Sequence, residues 1–210
     1  MISCQSITYH NSKICIVENR FSIDELLAEL SDPHLYRNDL EKLKTEHRKK
    51  EFLGIRLALK NALNGEEKEI EYTYYGKPVL KDGSYKISFS HCQNCVAVMV
   101  HPAMEVGIDV ESPSSKLEKI STRFLGKEEL AEYEKDKNFD FLRIAWSAKE
   151  AIYKIIGETA YNFAEQLQIL PFEIEKEGSL YVIHTDTQKK YKLEYLLTDT
   201  FTLAYCIDNE

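Results

Sequence analysis

The sequence predicts an α+β protein of two similar halves. Three observations carry this. Strand-like and helix-like stretches appear in the same order twice: strand, helices, a long helix, then strands. The order begins again near residues 102–105, so the halves are 1–104 and 105–210. The chain has 210 residues, 43% of them hydrophobic, enough for two small cores. No linker-like or low-complexity segment separates the halves, which are expected to pack tightly.

The first half opens with a strand pair, "ITYH" and "KICIVE". "FSIDELLAEL" has helical periodicity, with Ser22 and Glu25 spaced as a capping box and Asp32-Pro33 as its stop. Residues 34–63 are expected to be helical, ended by Asn64-Gly65. "EIEYTYY", a Gly-Lys-Pro turn, "KISFS" and "CVAVMV" are strand-like, and the last is apolar on both faces, as a central strand is. In the second half "VGIDVE" is a strand. Helices follow near 117–125, near 128–135 and over 139–156, the last capped by Gly157. "FEIE", "LYVIHTD", "YKLEYLLT" and "FTLAYCID" complete it as strands.

Charge and cysteine content exclude several classes. The formal net charge is −8, which disfavours a general nucleic-acid binder, because phosphate contacts need clustered Lys and Arg. The five cysteines are an odd set without framework spacing; Cys92-Gln93-Asn94-Cys95 is a lone C-x-x-C between strands, read as structural thiols. No basic-then-apolar leader opens the chain, and no apolar run approaches the ~20 residues of a membrane span. A cytoplasmic protein with no membrane association is expected.

Two stretches carry chemistry. On a helical wheel of about 100° per residue, Ala148, Ala151, Ile152, Ile155 and Ile156 form a core face. Trp146, Lys149, Glu150, Tyr153, Lys154 and Gly157 gather on the other side. Taken alone, that second face is an ordinary solvated one with a Glu150–Lys154 pair at i, i+4. In "VGIDVE" the alternation points Val106, Ile108 and Val110 one way, and Gly107, Asp109 and Glu111 the other. Gly107 is expected to leave open space beside two carboxylates that repel each other. Asp109, Glu111 and Glu150 together are hard oxygen ligands suited to Mg²⁺, and Lys149 and Lys154 suit a polyphosphate. Periodicity shows each face to be competent, not that the two meet.

These residues resemble the 4′-phosphopantetheinyl transferase superfamily, in particular its surfactin-synthetase-activating type. That family's signature is V/I-G-I/V-D-x-E, followed about forty residues later by F/W-S/C/T-x-K-E-A/S-x-x-K. The chain has Val106-Gly107-Ile108-Asp109-Val110-Glu111 and then Trp146-Ser147-Ala148-Lys149-Glu150-Ala151-Ile152-Tyr153-Lys154. Upstream, "YGKP" and "ISFSH" look like the family's adenine-contacting turn and phosphate-contacting Ser-His, and "HRKKEFLGIR" like its basic helix. After Ser90-His91 the family usually places small residues, where this chain has Cys92-Gln93-Asn94.

The resemblance implies that family's fold, two similar halves in a pseudo-twofold arrangement with the active site in a cleft between them. It implies transfer of 4′-phosphopantetheine from coenzyme A to a serine of an acyl or peptidyl carrier protein, leaving adenosine 3′,5′-bisphosphate. Asp109, Glu111 and Glu150 would bind Mg²⁺, or Mn²⁺. Glu150, Lys149 and Lys154 would be catalytic, the lysines also holding phosphate. Arg48, Arg56, Lys77, Pro78, Ser90 and His91 would contact coenzyme A. A monomer is expected. "KLEKISTRFL" would offer Lys116, Lys119 and Arg123 to an acidic carrier, or be a plain amphipathic helix. The rival readings are a metal-dependent phosphohydrolase and a coenzyme A-binding module without catalysis.

Overall fold

The protein is described from a computed structural model covering residues 2–32, 34–157 and 162–208. Pro33, read as a helix stop, lies outside the described residues. The fold is mixed α+β, and the chain divides into two compact units, Met1–Glu105 and Val106–Glu210.

The first unit is built on a four-stranded antiparallel sheet. β1 (Gln5–Tyr9) and β2 (Ser12–Glu18) form a hairpin; β5 (Lys86–His91) and β6 (Cys95–His101) form another; the order is β1-β2-β6-β5. β6 is interior and buried along its whole length, as its two apolar faces require. α1 (Ile23–Ala28) starts with the Ser22–Glu25 capping box. The long helical stretch expected after it is two helices, α2 (His34–Lys42) and α3 (Glu46–Ala62). The break falls where the Thr45 hydroxyl accepts the Arg48 N–H at 3.3 Å, starting a new helix. α3 packs on β2 and β6, burying Leu53, Ile55, Leu57 and Leu59 against Val17, Val96 and Val98. β3 (Ile70–Tyr72) and β4 (Pro78–Leu80) form a separate ribbon, and residues 73–77 are its turn rather than strand. Cys4 and Cys15 are joined as a disulfide beside the first hairpin.

The second unit is a five-stranded sheet, β7 (Val106–Glu111), β11 (Thr202–Ile207), β10 (Lys190–Leu197), β9 (Glu177–His184) and β8 (Leu167–Ile169), in that order, with every pairing antiparallel. α6 (Phe139–Ile156) lies across it, burying Leu142, Ile144, Ala145, Ala148, Ala151 and Ile152. Asn138 caps its start by accepting the Asp140 and Phe141 N–H groups at 2.9 and 3.3 Å. Gly157 ends it at φ 67°, a left-handed position that suits glycine. α4 (Lys116–Phe124) and α5 (Lys127–Asp136) precede it, and α7 (Phe163–Gln166) follows.

"FEIE" is not a strand. There the Tyr195 hydroxyl donates to Glu173 O at 3.0 Å and accepts from Glu175 N–H at 3.1 Å. A side chain satisfies this backbone, so no ladder is needed. Among the described residues no helix is long and apolar enough to cross a membrane.

Candidate functional site

The second unit brings the two signature stretches together. β7 is an edge strand, paired with β11, and α6 crosses the face carrying Gly107 and Asp109. The approach is close at one point. A Cβ at Gly107 would sit 2.0 Å from the Ala151 carbonyl oxygen and 2.8 Å from its carbon. The space that Gly107 was expected to leave open beside the acids is filled by helix backbone. Glycine there permits the contact between strand and helix.

That contact places Lys154 over the strand. Its ammonium donates to Asp109 Oδ1 and to Ile108 O, both at 2.9 Å. The Asp109 side chain is only 8% exposed, so this is an ion pair largely shielded from water. Glu150 lies one helical turn earlier on α6. Its carboxyl is pushed up to about 7 by burial and by the negative charge of Asp109, with Lys154 opposing and Glu111 adding to the rise. Glu150 therefore feels the charges of both Asp109 and Glu111. Among the described residues no three His, Cys, Asp or Glu side chains are assembled as a ready metal centre. The donor set still fits a hard divalent cation: the groups are all carboxylates, and their crowding is what a cation relieves.

Lys149 is placed elsewhere. It was expected beside Glu150, facing the reacting groups, but its side chain has no exposure at all. Its ammonium donates to Glu129 Oε2 at 2.5 Å, Phe124 O at 2.7 Å and Phe163 O at 3.2 Å. Glu129 is itself fully engaged, accepting Gly126 N–H at 2.7 Å and Ile169 N–H at 2.6 Å. Burial pushes the Lys149 amine below its ordinary range, with the Glu129 charge pulling back. One of the two faces drawn on the wheel is thus split: Glu150 and Lys154 turn toward β7, and Lys149 into the interior. Trp146 is half-buried and serves packing, its ring edge-on to Phe124 at 5.2 Å and tilted to Phe163 at 5.9 Å.

In the first unit, Arg48, Arg56 and His91 line one cavity of about 180 Å³, with Glu51, Phe52 and Tyr72. Glu51 is the residue that sequence reasoning missed. It is 4% exposed and anchors three basic groups: Arg48 Nη1 at 2.8 Å, His91 Nδ1 at 2.9 Å and His47 Nε2 at 3.0 Å. Its spacing from His47 and Arg48, i+4 and i+3 on α3, was a readable signal; its bond to His91 on β5 was not. The Arg56 guanidinium stacks 3.5 Å over the Phe52 ring, and burial lowers its pKa while Tyr72 counters. Ser90 is buried on β5. Lys77 is bound to Glu105 at 2.7 Å, and Lys86 holds the other Glu105 oxygen at 2.8 Å, which fixes the turn before Pro78. Burial opposes ionisation of Glu105, but the two lysines prevail and lower its pKa.

The turn after His91 closes tightly. Cys92 N–H donates to Cys95 O at 2.8 Å, the Asn19 amide donates to Cys92 O at 2.9 Å, and the two buried sulfurs lie 3.6 Å apart. Bonding to Cys92 and burial raise the Cys95 thiol far above its usual range.

Residues 105–206 match the family model of the 4′-phosphopantetheinyl transferase superfamily. This stretch is a 4′-phosphopantetheinyl transferase superfamily domain. It contains both β7 and α6, so the matched segment holds Asp109, Glu111, Glu150 and Lys154. Among curated proteins none matches the sequence. The match supports a transferase of the phosphopantetheinyl type, and the antiparallel sheets with flanking helices agree with that fold.

Proposed function

We propose that the chain moves the 4′-phosphopantetheine group of coenzyme A onto a serine hydroxyl of an acyl or peptidyl carrier protein, as the surfactin-synthetase-activating type does. The observation that carries this reading is the grouping of Asp109, Glu150 and Lys154 inside the matched domain: Lys154 bonds the buried Asp109 at 2.9 Å, and the Asp109 charge helps raise the Glu150 carboxyl. Asp109, Glu111 and Glu150 would hold Mg²⁺ or Mn²⁺, which supplies neutralising charge to the pyrophosphate. Glu150 accepts the proton of the carrier serine. The serine oxygen bonds to the phosphorus bearing the pantetheine. The bond from that phosphorus to the bridging oxygen breaks, and adenosine 3′,5′-bisphosphate leaves. Lys154 neutralises charge on the phosphate oxygens.

The nucleotide end is assigned to the first unit. Arg48 and His91 would hold the 3′-phosphate, with Ser90 and Arg56 beside them, and Lys77 and Pro78 the adenine. The carrier would meet the exposed Lys116, Lys119 and Arg123 of α4, whose Leu117, Ser121 and Phe124 are buried. The protein would act as a cytoplasmic monomer.

The test is mass spectrometry of candidate apo-carriers after incubation with coenzyme A and Mg²⁺. The expected result is a phosphopantetheine adduct on one serine, with coenzyme A intact when the carrier is omitted. Coenzyme A cleavage without a carrier would instead mark a hydrolase, and binding without turnover a non-catalytic module.

A further inference from the structure

Building on the reading above, we propose that Lys149 is a positioning residue rather than a group that touches substrate: with Glu129 it locks the rotation of α6, so that Glu150 and Lys154 face Asp109.

The geometry supports this in three steps. First, the Lys149 ammonium has no donor left over. Its three acceptors, Phe124 O, Glu129 Oε2 and Phe163 O, match the three N–H bonds an ammonium carries. Second, the acceptors come from different elements: the end of α4, the first turn of α5 and the start of α7. Glu129 adds β8 through the Ile169 N–H. One buried pair thus ties α6 to four neighbours. Third, helix geometry converts this tie into an angle. With Lys149 fixed, Glu150 lies about 100° round the helix, and Lys154, five residues on, about 140° round. The two side chains that must meet Asp109 thus fall within about 40° of each other. The Gly107–Ala151 contact sets how near helix and strand come. The Lys149–Glu129 pair sets which way the helix faces.

An apolar pair of similar volume in this place would pack as well or better. A buried pair gives direction instead, because hydrogen bonds hold an angle and dispersion does not. The lysine of the signature is thereby assigned work inside the domain.

The first test uses the wild-type protein without ligand. Amine acylation is followed by peptide mass spectrometry. Lys149 is expected to stay unmodified while the exposed Lys116 and Lys119 react. Labelling of Lys149 at their rate overturns the proposal, since only a lysine open to solvent is available to substrate. The second test compares Lys149→Met, Glu129→Met and the double variant. Lys149→Met is expected to lower kcat about 100-fold with little change in the coenzyme A KM, the effect of a displaced reacting group. Mn²⁺ affinity, read by titration in the presence of coenzyme A, is expected to weaken about tenfold. The double variant, which leaves no buried charge unpaired, is expected to recover both to within about fivefold. A double variant as stable as wild type but as slow as Lys149→Met overturns the proposal. If the wild-type protein modifies no carrier, the proposed function fails by itself, while acylation and Mn²⁺ titration still decide Lys149.

Discussion

Gly107→Ala tests the contact on which the candidate site rests. The added Cβ would lie 2.0 Å from Ala151 O, 2.8 Å from Ala151 C and 3.0 Å from Ile155 Cγ1. Real Cβ contacts do not fall below 3.0 Å, so helix and strand must separate by about 1 Å. The nearest atoms are helix backbone, so no rotamer change relieves the clash. Both elements are buried at this contact, Val106, Ile108 and Ala151 having no exposure. Overpacking of this kind costs about 1–3 kcal/mol. The same movement stretches the 2.9 Å bond from Lys154 to Asp109 past hydrogen-bond length. A misplacement of about 1 Å at a reacting group lowers turnover about 100-fold. Urea denaturation gives the stability, and the rate of carrier modification under saturating coenzyme A gives the turnover. A variant within about 0.5 kcal/mol of wild type, the range of a neutral surface change, would refute the close approach. A destabilised variant with undiminished turnover would refute the link between that approach and catalysis.

Glu67 offers a pH test away from the site. Burial raises its pKa, but bonds from Lys60, the Ser31 N–H, Tyr36 and the Asp32 N–H outweigh burial and bring it to about 2, below its ordinary 4.5. A depressed carboxylate stabilises the fold above the unfolded value and loses that contribution as pH falls toward the folded one. Glu67→Gln should therefore cost about 2 kcal/mol at pH 7, the worth of a charge-assisted bond, with the difference closing between pH 4.5 and 2 in denaturation curves. Glu51→Gln should raise the coenzyme A KM about tenfold, the loss of one charged hydrogen bond, with kcat held. A fall in kcat at unchanged KM would remove Glu51 from nucleotide binding. Arg123→Glu should raise the carrier KM about tenfold at low salt and leave the coenzyme A KM alone. Equal effects on both would reject α4 as the docking surface.

Much of the fold was legible because local patterns and tertiary demands agree. "CVAVMV" is apolar at every position and became the interior β6. Ser22 with Glu25 marked a helix start and forms the capping box. Gly157 marked the end of α6 and sits at a positive φ. Failures arose where a partner distant in sequence, or a single local hydroxyl, decided the outcome. Residues 172–175 alternate like a strand, yet Tyr195 binds their backbone. The break between α2 and α3 carries no glycine or proline; one hydroxyl, that of Thr45, marks it. The strand at 167–169 was missed, being three residues long and held by β9.

By itself the sequence determined which residues form the signature, their order, and which share a strand face or a helix side, because side-chain periodicity is a local property of the backbone. Only the tertiary structure decided which side of α6 meets β7 and which side is buried. A wheel gives angles relative to the helix alone. It takes Ala151 lying against Gly107, and Glu129 waiting in the interior, to send Glu150 and Lys154 toward Asp109 and Lys149 away from it.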